Sequence, residues 1–161
     1  MSAAKRVWSV ALHGRRKFWV EGQTAHRIAA VLANRIRSQA GADSAAKCVA
    51  SLCEDIGIAL TPIVGPRGVA ALYKRSLFLT SHEHPVLSGL HEGLHTTMDV
   101  SRLTTTLTAL SEAEANTVGT ALLQSFYELL SSLVGLSLTE RLLSSLWDRP
   151  LSDPPALEPT A

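Results

Sequence analysis

The sequence predicts an all-α fold, a compact bundle of six or seven helices joined by short turns. Three observations carry this reading. Apolar residues recur at three- and four-residue spacing from Gln23 to Trp147, the period of a helix with one buried face. Capping residues and Gly or Pro breaks divide that stretch into helix-sized pieces. No run alternates apolar and polar residues as a half-buried strand would. The chain has 161 residues, enough for one domain with its own core. The expected organisation is a basic, aromatic N-terminal arm over 1–20, a helical bundle over 21–149 and a disordered tail over 150–161.

The first helix follows from Ile28, Ala29, Val31, Leu32 and Ile36, with Arg27, Asn34, Arg35 and Arg37 on other faces and Gly41 closing it. The second opens at Asp43 or Ser44, both good caps. It carries Ala46, Val49, Leu52, Cys53 and Ile56 towards a break at Thr61-Pro62. Ile63-Val64-Gly65-Pro66-Arg67-Gly68 reads as a turn, because two glycines flank a proline. It lacks the Lys-Ser or Lys-Thr of a phosphate loop. A third helix has Val69, Leu72, Tyr73, Leu77 and Phe78 on its apolar side, and Pro85 starts a short fourth helix. Thr96 and Asp99 have capping-box spacing for a fifth helix carrying Val100, Leu103, Leu107 and Leu110. Ser111 and Glu114 repeat that spacing for the longest helix, which Gly135 ends. Ser137 and Glu140 open the last one.

The net charge is +1, which gives no overall electrostatic signal for nucleic acid. Charged residues are 18% and apolar residues 46%, fewer charges than the roughly 25% of an average soluble domain. Lys5, Arg6, Arg15, Arg16 and Lys17 lie among Trp8, Phe18 and Trp19 in the arm. That mixture suits contact with nucleic acid or an anionic membrane, the third of three functional readings. His13, Arg15, Arg16 and Lys17 interrupt the apolar core that a signal peptide needs. Val118–Leu138 is long enough to cross a bilayer, but Gln124, Glu128 and several serines fall inside it, so a buried helix is expected and no transmembrane one. Cys48 and Cys53 are five apart, about 140° round a helix, which points their thiols away from each other. Two buried free thiols and a cytoplasmic location are expected.

The sharpest local motif is His91-Glu92-Gly93-Leu94-His95. It resembles the H-E-x-x-H signature of zinc metalloproteases, in which two histidines one helical turn apart share a metal and the glutamate acts as general base. In the gluzincin families a glutamate on a later helix is the third ligand, and that resemblance points to Glu114. The alternative reading is therefore a zinc hydrolase with His91, His95 and Glu114 as ligands and Glu92 as base. A non-catalytic metal site could instead use some of His82, His84, His91 and His95.

Four features weigh against zinc. Val86, Leu87, Leu90 and Leu94 would span an arc of about 100°, placing His91 at its edge and Glu92 opposite, as on an ordinary amphipathic helix. The flanking residues Ser88 and Thr97 depart from the protease pattern. A helix starting at Thr96 would leave His95 at a frayed end. No sheet edge is available to hold an extended substrate. No G-x-S-x-G elbow occurs either. The leading expectation is accordingly a non-enzymatic regulatory or interaction module without a cofactor, a homodimer through Leu122, Phe126, Leu129, Leu133, Leu142, Leu146 and Trp147. With Leu130, Leu136, Leu138 and Leu143, these exceed what one apolar stripe per helix would bury.

Overall fold

The computed structural model describes residue 23 and residues 26–37, 44–92 and 98–147. The arm (1–20), the tail (150–161), residues 93–97 with His95, and the side chain of Trp147 lie outside the described residues. Among the described residues the backbone is helical, with no strand. Helix α1 covers 26–37, α2 Ser44–Ser81, α3 Ser101–Thr108, α4 Glu112–Val134 and α5 Leu136–Trp147. A single 3-10 turn, Pro85–Leu87, lies between α2 and α3.

These five α-helices are fewer than the six or seven expected, and local chemistry explains the difference. The second and third expected helices form one 38-residue element kinked at Gly65, whose φ of 75° and ψ of 164° are not helical. Pro62 and Pro66 flank the kink inside the element. Each lacks the N–H that would bond four residues back, and glycine accepts the positive φ without strain. The expected turn is thus present as a sharp bend within α2.

The expected fourth helix is one turn of 3-10 helix. Pro85 does occupy its first turn, but Ser88 is extended (ψ 134°) and Gly89 takes φ 83°. The helix therefore stops before His91. The fifth begins at Ser101, not Thr96. Its N-cap position is Val100, which offers no capping side chain, and the Asp99 carboxylate accepts from the Ser101 N–H at 2.8 Å instead.

The long helix α4 forms as its local signals require. Ser111 caps it, and Ser111 and Glu114 satisfy each other's backbone N–H groups in a full capping box. Gly135 ends it with φ 86°. The carbonyl of Gly135 then accepts from the N–H of Thr139 at 3.1 Å and from its hydroxyl at 2.9 Å, starting α5. Ser137 consequently lies inside α5 and makes no box with Glu140.

One apolar cluster joins all five helices and the 3-10 turn, including Ile28 and Leu32 of α1, Leu52, Leu60 and Tyr73 of α2, Leu87, Leu103 and Leu107, Leu122 and Leu130 of α4, and Leu143 of α5. The longest contact is α2 against α4. Gly119 of α4 sits against Val49 of α2 so closely that a Cβ there would lie 2.2 Å from Val49 Cγ2. The buried hydroxyls of Ser76, Thr80 and Thr139 bond to carbonyls four residues back at 2.8, 2.8 and 2.9 Å, which offsets their desolvation. Ala45–Ser81 is long and apolar enough to cross a membrane by length and composition, although 44% of its most apolar window is buried in the fold. The apolar run Val118–Leu138 is instead divided by Gly135 between α4 and α5.

Candidate functional site

His82 and His91 meet at Phe78 near the end of α2. His82 and His91 each meet the Phe78 ring edge-on, with centroids 4.9 Å and 5.4 Å away, and the Arg75 guanidinium lies 5.4 Å from the same ring. His82 Nδ1 is 2.9 Å from the Phe78 carbonyl. His91 Nδ1 is buried without a hydrogen-bond partner among the described residues. Residues 88–92 are turns, so the helical spacing on which a shared zinc rests is not formed at His91. Glu92 is exposed, and its carbonyl accepts from Arg102 at 3.3 Å.

His84 and Glu114, two of the other candidate ligands, line a separate cleft of about 380 Å³ with Glu83, Pro85, Leu110 and Thr117. Glu114 is already engaged there. Its carboxylate accepts from the Ser111 hydroxyl at 2.8 Å and the Ser111 N–H at 3.1 Å. Those bonds, the hydroxyl's first, hold its pKa below the usual 4.5. Among the described residues no three His, Cys, Asp or Glu side chains converge as a metal site.

Ser111→Ala should lower stability by about 1 kcal/mol through loss of the cap, read by denaturant melts. Glu114 should then titrate nearer its ordinary value. A carboxylate with a lowered folded pKa stabilises the fold above its unfolded pKa and loses that effect as pH falls through the folded one. The acid limb of the stability curve, below about pH 4.5, should therefore flatten in Ser111→Ala. An unchanged Glu114 titration by NMR would refute the assignment.

The expected interface residues divide into three groups. Leu122, Phe126 and Leu146 belong to the core, at 1%, 4% and 6% exposure. Leu129 and Leu142 are half-buried at its margin. Leu133 is 68% exposed, and Leu136 and Leu138 at the start of α5 are 44% and 40% exposed. Leu133 follows Phe126 by seven residues and Leu122 by eleven, so at 100° per residue it lies within about 20° of each around α4. The apolar stripe of α4 thus continues one turn past the cover that the other described helices provide.

Beside this end stands a polar clasp that sequence reading assigned differently. The Arg27 guanidinium of α1 bonds the Glu140 carboxylate at 2.8 Å, and the Tyr127 hydroxyl donates to the same carboxylate. Arg27 and Glu140 are 113 residues apart, and no local pattern links them. A second tie, Arg35 to Asp55 at 3.1 Å, holds the other end of α1 to α2. Cys48 and Cys53 are free and buried, and burial pushes the Cys53 thiol up to about 12. No protein-family model matches this chain, and no curated protein or solved structure matches it either.

Proposed function

We propose that this chain is a non-enzymatic interaction module, a compact helical bundle that pairs with a second copy of itself through the adjoining ends of α4 and α5. The observation that carries this reading is Leu133, a core-side leucine of α4 left 68% exposed. Leu136 and Leu138 extend the apolar area, and Leu129 and Leu142 border it. Burying such residues between two chains removes apolar surface from water at roughly 25 cal/mol per Å². Regulation by association is the role we assign, in a reducing, cytoplasmic setting that the two free thiols favour.

Light scattering at micromolar concentration tests this. The native chain should run as a dimer. Leu133→Asp should give a monomer with unchanged far-UV circular dichroism, because the side chain is mostly outside the core. A native chain that is monomeric throughout that range ends the proposal.

A further inference from the structure

The outer face of α2 beyond its kink is basic and carries exposed apolar side chains. At 100° per residue, Arg67, Ala71, Lys74, Arg75, Phe78 and Leu79 fall within an arc of about 140° round the helix. Arg67, Ala71, Arg75, Phe78 and Leu79 are exposed, and Lys74 is half-buried. Val69, Leu72, Tyr73 and Leu77 occupy the rest of the turn and belong to the core. Packing of that inner side fixes which side chains face outward. From Arg67 to Leu79 the face runs about 18 Å along the helix.

The charge on this face is uncompensated. No Asp or Glu occurs between Asp55 and Glu83. Asp55 is tied to Arg35 at 3.1 Å, and Glu83 lines the cleft beside Glu114. Among the described residues no carboxylate pairs with Arg67, Lys74 or Arg75. Phe78 and Leu79, each 37% exposed, stand beside these cations. An anionic surface with an apolar layer beneath it complements both features. Nucleic acid complements only one. His82, His91 and Arg75 already crowd the Phe78 ring, which leaves it poorly placed to stack on a base, and Leu79 offers a nucleic acid nothing. An acyl chain requires only apolar area.

We propose that this face docks on a lipid bilayer bearing anionic headgroups, with Arg67, Lys74 and Arg75 among the headgroups and Phe78 and Leu79 at the apolar boundary below them. Basic residues near such a surface each add to affinity, and buried apolar area adds further. Long Arg and Lys stems keep their charges at the headgroups while neighbouring apolar groups go deeper. The inner side of α2 stays packed on the bundle, so the helix lies along the surface and does not cross it. The inference goes beyond self-association and does not rest on it, because it uses the outside of α2 and not the adjoining ends of α4 and α5.

The test is cosedimentation of the full chain with vesicles of phosphatidylcholine and phosphatidylserine, set against vesicles of phosphatidylcholine alone. The native chain should bind the mixed vesicles, and added salt should weaken that binding. Arg67→Glu with Arg75→Glu should weaken it by roughly 30-fold or more, since each basic residue at an anionic surface contributes about fivefold. Far-UV circular dichroism should not change. No binding to the mixed vesicles overturns the proposal, as does equal binding to phosphatidylcholine alone. Equal binding by the native and charge-reversed chains also overturns it, because the cations responsible then lie elsewhere. A single-stranded oligonucleotide that binds the native chain and not the charge-reversed one, with vesicles ignored by both, would make the face a nucleic-acid surface and overturn the lipid reading. If charge reversal disturbs folding, a polarity-sensitive fluorophore on Leu79→Cys provides the second readout, since Cys48 and Cys53 are buried. Its emission should move to shorter wavelength when mixed vesicles are added, and unmoved emission overturns the proposal.

Discussion

Gly119→Ala is expected to destabilise this protein by about 1–3 kcal/mol, the usual cost of overpacking a filled core. On an isolated helix the same change would help, since alanine is favoured over glycine by up to about 1 kcal/mol. The packing around Gly119 decides the sign. A Cβ there would lie 2.2 Å from Val49 Cγ2 and 3.3 Å from Val49 Cβ. Val49 is fully buried, and a β-branched side chain in a helix has essentially one χ1 rotamer to occupy. The clash can be relieved only by moving α2 away from α4, which loosens the longest contact in the fold. Thermal melts should show a drop of roughly 2–4 °C per kcal/mol for a chain of this size. Val49→Ala in the Gly119→Ala background should recover part of the loss, giving a favourable coupling between two changes that are each destabilising alone. A Gly119→Ala protein as stable as the native one would mean that α2 and α4 do not meet as described.

The elements readable in the sequence were those set by neighbours a few residues away. The Ser111–Glu114 box and the Gly135 stop both formed because cap chemistry needs only one turn of backbone. The bend at Gly65 was readable for the same reason, although the helix resumes immediately after it and the two pieces read as one element. The helix expected to run from Pro85 into His91 stopped at Gly89. Its positive φ ends the 3-10 turn before His91, and the apolar spacing of Leu87 and Leu90 carries no record of that backbone choice. The helical period by itself sets Leu122, Phe126 and Leu133 on one stripe of α4. It could not tell that the first two are covered and the third is not, because cover depends on where neighbouring helices end. The Arg27–Glu140–Tyr127 clasp lay beyond sequence reasoning altogether, being a product of tertiary placement.

Tyr73→Phe should stabilise the protein by about 1 kcal/mol, although tyrosine-to-phenylalanine changes in a core usually cost stability. Tyr73 is 1% exposed, and its hydroxyl has no hydrogen-bond partner among the described residues. An unpaired buried hydroxyl carries a desolvation penalty of about 1–3 kcal/mol, and phenylalanine removes it while keeping the ring. The small void left by the oxygen offsets part of the gain. The effect should grow at high pH. Burial first, then the charges of Cys53 and Asp99, raise the pKa of the phenol above its ordinary 10.0. A raised folded pKa contributes stability below the unfolded pKa, and that contribution is lost as pH rises beyond it. The native protein should therefore lose stability above about pH 10, where the unfolded tyrosine ionises and the buried one does not, and Tyr73→Phe should lose less. Denaturant melts of both proteins at pH 8 and pH 10.5 measure the difference directly. A Tyr73→Phe protein that is less stable at pH 8 by 1 kcal/mol or more would show that the hydroxyl is bonded in solution.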